Sequence, residues 1–117
     1  MHASDQLLVA GSILTVGVVT FCVCLPLIYR KVPMNHLYGI RIPLAFVSNE
    51  RWYAINEYGG RLLARWSCLS ILTGTVGFIL PPHTSAAYTC FAIAVVLISV
   101  LVPLIQTIRW ARFTGQT

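Results

Sequence analysis

The polar side chains able to do chemistry are concentrated in two short runs, PMNHLYGIRIP at 33–43 and SNERWYAINEYGGR at 48–61. Arg41 is the leading candidate. It stands between Ile40 and Ile42 and is bracketed by Gly39 and Pro43, a setting that holds a guanidinium in a turn at a membrane face. Its planar fork suits a lipid phosphate, a peptide carboxylate, or Glu50 or Glu57 of the same segment. Asn35 and Asn56 carry amides of the kind that bond backbone at turns and helix junctions. Such residues bind and orient. For acid–base work only Glu57 and His36 are at hand, with no nucleophile beside them, so the expectation is a protein that is not an enzyme.

Metal and cofactor chemistry find no better footing. His36 and His83 have no second His, Cys or carboxylate at ligand spacing. Cys22, Cys24, Cys68 and Cys90 all fall in apolar stretches, and a Cys-x-Cys pair on a helix points its thiols about 200° apart. They read as small apolar fillers. Zinc spacing, CxxC, Gly-rich phosphate loops and Gly-x-Ser-x-Gly are missing from the sequence, so no cofactor is expected.

The elements that must position these residues are made for lipid. The 117 residues are 57% apolar and 9% charged, against about 25% charged in a soluble domain. Leu7–Tyr29 and Ala86–Ile108 are each 23 residues without a charge, enough for a bilayer core of about 30 Å. A third span is read over Leu62–Leu80, with Arg65 reaching toward the headgroups and Pro81-Pro82 ending it. The start MHASDQ has no Lys or Arg and the run after it is long, so the first stretch reads as a retained helix and not a cleaved signal peptide.

All eight basic residues lie in 30–65 or after Ile108, leaving the N-terminus and the 81–85 turn with none. The positive-inside rule then places the N-terminus outside and the C-terminus in the cytoplasm. The net charge of +5 reads as a topology and headgroup signal, and nucleic acid is not an expected partner. The acids, Asp5, Glu50 and Glu57, lie outside the expected spans, which argues against a proton-coupled pump.

Between the first two spans lie 32 residues, 30–61, longer than an ordinary connection. Pro33 and Pro43 bias their predecessors to extended backbone, and Gly39 permits a turn. From Ser48 or Asn49 as N-cap the pattern turns helical: Trp52, Ile55, Gly59, Leu62, Leu63 and Trp66 share one face, and Glu50, Glu57, Arg61 and Arg65 the other. Trp52 is expected as an interfacial anchor, and Gly59-Gly60 as a bend before the second span.

The run VPMNHLYGIRIP followed by SNERWYAINEYGGR resembles the signature of the SdpI family, small bacterial membrane proteins named for an immunity protein that protects a cell from its own toxic peptide. Pro33, Asn35, Gly39, Arg41, Pro43, Ser48, Trp52, Asn56 and Gly60 fall in register without a gap. Met34, Ile42 and Leu44 depart from the pattern and make the turn greasier. Longer immunity members carry an additional N-terminal membrane region, and this chain resembles their signature-bearing part. The resemblance implies a cell-membrane protein of protective type that binds a toxic peptide, a lipid or a membrane partner. A small transporter subunit or membrane enzyme using Arg41, Asn35, Asn56 and Glu57 is the alternative.

The expected fold is an all-α membrane protein, a single domain over 1–117, with three transmembrane helices and a cytoplasmic turn plus amphipathic helix between the first and second. The turn is expected to dock on the helix with Asn35 and Arg41 as donors and Asn56 and Glu57 as acceptors, the latter in a charge-assisted pair. Small-residue spacings at Ser70/Gly74 and Gly11/Thr15 point to self-association or a partner helix.

Overall fold

The computed structural model describes residues 3–115. Three long helices run through them: α1 over Ala3–Ile28, α2 over Asn49–Gly77 and α3 over Ser85–Gly115, with short 3-10 turns at Pro43–Phe46 and Pro82–Thr84. Among the described residues there is no strand. Leu14 of α1 faces Gly74 of α2 while Cys24 faces Gly60, and Ser70 of α2 meets Ser99 of α3 while Arg51 reaches Thr114. The helices therefore run up, down and up, with α2 in the middle.

Each boundary has a local cause. The Ser48 hydroxyl caps α2 by accepting the Arg51 N–H at 3.1 Å. Pro81 and Pro82 keep the chain from continuing α2 beyond Phe78. α1 closes with a Schellman turn, in which the Lys31 N–H donates to the Pro26 carbonyl at 2.9 Å and the Arg30 N–H to Leu27 at 3.3 Å. That turn requires a left-handed residue, and Arg30 takes the role at φ 58°. An L side chain there costs about 1 kcal/mol.

Among the described residues two helices are long and apolar enough to cross a membrane, Ser4–Ile28 and Pro82–Gly115, yet only 17% and 22% of their most apolar windows are buried inside the protein. A soluble core helix would be mostly covered. Leu8, Phe91, Leu97 and Ile105 instead project outward. α2 is built the other way round: its buried stripe is Gly59, Gly60, Ser67, Ser70, Gly74 and Gly77, while Leu69 and Leu72 face out.

This alters the expected layout. Leu62–Leu80 is not a separate span following an amphipathic helix, because α2 runs unbroken from Asn49 to Gly77. Gly59 and Gly60 lie inside that unbroken helix. Those glycines admit neighbours: a Cβ on Gly59 would meet Thr107 of α3 at 2.9 Å, and one on Gly60 would meet Ile28 of α1 at 3.3 Å. Ser70 and Gly74, expected to recruit another helix, are consumed inside the chain. A Cβ on Gly74 would sit 2.6 Å from the Leu14 backbone nitrogen, and Ser70 is bonded to Ser99 at 3.2 Å. Gly11 and Thr15 line a shallow outward groove with Leu7 and Ser12.

Backbone-to-backbone contact of this kind leaves no room for a side chain to rotate away. Gly74→Val is expected to force α1 from α2 and lower stability by about 1–3 kcal/mol, read as a lower unfolding midpoint in detergent. Gly11→Ala serves as the comparison, since its Cβ would meet only Phe78 at 3.9 Å. Equal midpoints for both variants would contradict this account of the helix interface.

Candidate functional site

The segment between α1 and α2 is ordered by its own amides before anything docks on it. Asn35 closes an Asx turn: its Oδ1 accepts the Leu37 and Tyr38 N–H groups at 2.8 and 2.6 Å, and its Nδ2 donates to the Pro33 carbonyl at 2.7 Å. Asn35 is thus spent within the turn and donates nothing to α2. The Tyr38 hydroxyl then donates to the Val23 carbonyl of α1, and Gly39 reverses the chain at φ +119°.

The next residue is where the segment meets α2. The Ile40 N–H donates to Asn56 Oδ1 at 2.6 Å, while Asn56 Nδ2 donates to the Trp52 carbonyl at 2.9 Å and more distantly to the Ile40 carbonyl at 3.4 Å. One side-chain amide therefore grips both polar groups of one residue, in a site where Asn56 is 1% exposed. Gly39 is needed twice over. Besides its φ, a Cβ there would lie 2.8 Å from Asn56 Oδ1 and 3.0 Å from the Trp52 ring. The Ile40 side chain enters the space left open by Gly59.

Trp52 is not the interfacial anchor the sequence suggested. Its side chain is fully buried, with Nε1 donating to the Val32 carbonyl at 2.9 Å. Phe46 tilts against it at 5.4 Å and His36 stacks on Phe46 at 5.2 Å. Pro43 opens the 3-10 turn that carries Phe46 there. The greasy positions Met34, Ile42 and Leu44 pack against the same cluster of Ile40, Ala45, Trp52, Ile55 and Ala111. The segment has a small apolar core of its own.

One of the expected charge pairs is replaced by another. Glu57 does not pair with Arg41. Its carboxylate is held between Arg30 at 2.8 Å and Arg61 at 3.1 Å, and these guanidinium groups, Arg30 foremost, hold its carboxyl below the usual range. Both arginines are half-exposed, so each pair is worth about 1 kcal/mol or less. The geometric reason is reach: Arg30 follows the end of α1 and Arg61 lies one helical turn beyond Glu57. Arg41 projects outward, its guanidinium donating to the His36 carbonyl. Among the described residues its fork has that one carbonyl as partner, far fewer than its donors allow.

Two contributors were not singled out from the sequence. Arg51 donates to the Ala111 carbonyl at 2.6 Å and to Thr114 Oγ1 at 3.0 Å, placing a cation at the negative end of α3. Ile40 is the peptide that Asn56 recognises. A Gly-Gly pair inside a helical pattern was the available signal that another chain comes close at that level. His36 and Glu57, the acid–base pair considered above, have separate partners, Phe46 for one and two arginines for the other. Among the described residues no group of three or more His, Cys, Asp or Glu is placed to hold a metal.

Asn56→Leu leaves the Ile40 N–H and carbonyl unpaired in an apolar setting, at about 1–3 kcal/mol for each group left unsatisfied. The expected result is much faster hydrogen exchange at Ile40 and cleavage within 34–42 by a protease that spares the wild type. Gly39→Ala is expected to do the same. Unchanged exchange in both variants would show that the amide clamp does not hold the segment.

The geometry covers the part of the chain that comparison with known families also selects. No curated protein and no solved structure matches the chain. Residues 31–107 match the SdpI/YfhL protein family, a stretch that begins in the clamped segment, takes in all of α2 and runs to Thr107 of α3, so the chain belongs to the SdpI/YfhL family of membrane proteins.

Proposed function

We propose that the protein is an immunity-type membrane protein that binds a toxic peptide or a membrane partner of such a peptide through the outward face of the 33–43 segment. The carrying observation is the contrast at that segment. Its backbone is fastened to α2 by the buried Asn56 amide, while the Arg41 fork stays exposed with a single backbone carbonyl as partner among the described residues. A preorganised turn presenting an unsatisfied planar cation suits a carboxylate or phosphate on a ligand. Family membership supports the protective role.

The reading has α1, α2 and α3 all crossing the bilayer, the second span by the 62–80 part of the chain, carried mostly by α2. Low hydropathy does not disqualify that part. Its small polar residues, Ser67, Ser70 and Thr73, are buried against α1 and α3, and the Ser67 hydroxyl donates to the Ala64 carbonyl at 2.7 Å, so lipid meets chiefly Leu69 and Leu72. With the basic residues at one end, the N-terminus lies outside and the C-terminus in the cytoplasm. The role requires binding and no catalytic step.

Reporter fusions at the C-terminus check the orientation: activity only outside the cell would contradict it. The function is tested in cells lacking the gene, challenged with self-produced toxic peptides and complemented with wild type or Arg41→Lys. Lysine keeps the charge and loses the fork. We expect normal membrane abundance and about tenfold lower tolerance, corresponding to one charge-assisted hydrogen bond of about 1.5 kcal/mol. Full tolerance with Arg41→Lys and Arg41→Gln would remove Arg41 from the site, and wild type without effect on tolerance would refute the protective role.

A further inference from the structure

A groove of about 600 Å³ opens between α2 and α3 at the basic end of the bundle, lined by Tyr58, Leu62, Gln106, Arg109, Trp110 and Arg112. Its walls come from helical neighbours: Tyr58 and Leu62 are four apart on α2, and Gln106, Arg109 and Trp110 follow at spacings of three and four on α3. Tyr58 and Trp110 stack face to face, with ring centroids 4.3 Å apart and planes 7° from parallel. That stack separates the groove from the smaller cleft holding the Arg30–Glu57–Arg61 cluster.

The separation has an electrostatic result. Glu57 is already shared by Arg30 and Arg61, so it is spoken for on the far side of the stack. Gln106, Arg109 and Arg112 have no hydrogen-bond or ion-pair partner among the described residues, and both arginines are exposed. Two uncompensated guanidinium groups therefore share one groove with an amide and an aromatic wall. Apolar surface continues from it, through Leu62 and the largely exposed ring of Phe113.

We propose that this groove is a binding site for the headgroup of an anionic phospholipid. The phosphodiester accepts hydrogen bonds from Arg109 and Arg112, and the acyl chains leave along Leu62 and Phe113. Three features select this ligand. Paired guanidinium groups match phosphate oxygens, stacked Tyr and Trp rings sit well at headgroup depth, and basic pockets between membrane helices suit anionic headgroups. A free phosphate would use the arginines and leave the apolar wall without a role. The site rests on the reading above only in having the basic ends of α2 and α3 at a membrane surface, and it requires no protective activity.

The test uses the full chain in neutral detergent, titrated with dioleoylphosphatidylglycerol while the unfolding midpoint is followed by tryptophan fluorescence. We expect the midpoint to rise with this lipid and not with dioleoylphosphatidylcholine or sodium phosphate. At about 1 kcal/mol per basic residue near a lipid surface, half-saturation should move about fivefold in Arg109→Gln or Arg112→Gln and about thirtyfold in the double variant. Arg65→Gln, which removes an exposed charge outside the groove, should titrate as wild type. Equal protection by both lipids, equal protection by sodium phosphate, or a double variant that titrates as wild type would each overturn the proposal. Reporter fusions and toxic-peptide challenge read the earlier proposal independently, so either can fail alone.

Discussion

The rest of the structure hangs on how closely other backbone can approach one stripe of α2. Gly60, Ser67, Ser70, Gly74 and Gly77 remove the side-chain layer that usually keeps helices apart. At Gly74 the α1 backbone comes so near that a single added carbon would overlap it. Lipid tails are as apolar as leucine, so burying leucine between membrane helices gains little, and association depends on close van der Waals contact and a few interior hydrogen bonds. Ser70 to Ser99 and Tyr88 to the Thr73 carbonyl are bonds of that kind.

The same stripe continues beyond the helical pairs and organises the segment between α1 and α2. Gly59 admits Ile40, and Asn56, one turn earlier, holds the Ile40 backbone with both ends of its amide. Irregular backbone near a bilayer needs protein partners for its N–H and carbonyl groups. Here the Asx turn at Asn35, the Tyr38 bond to α1 and the Asn56 clamp supply them in sequence. The segment is consequently a fixed surface, with Arg41 exposed on its outer side.

Scarcity of acids shapes the electrostatics. With eight Lys and Arg against three Asp and Glu, most cations cannot be neutralised within the chain. Glu57 takes two of them, and Arg51 is satisfied by the carbonyl end of α3. Lys31, Arg41, Arg65, Arg109 and Arg112 remain facing outward.

Composition and periodicity alone determined that the chain is helical and apolar, where α1 and α3 lie, and that a helix starts at Ser48 or Asn49. These are legible because they depend on neighbours in sequence: runs of apolar residues, a capping hydroxyl, prolines that bar a helix. The family signature added its membership. Tertiary structure decided what each polar residue bonds. A glycine pair that permits a bend equally permits a close neighbour, and only the arrival of Ile40 and Thr107 at Gly59 reveals that neighbour. Trp52 became core instead of anchor because the 33–46 segment folds over it. Glu57 went to Arg30 and not Arg41 because the end of α1 brings Arg30 within reach of it, a fact of three-dimensional distance that spacing along the chain does not contain.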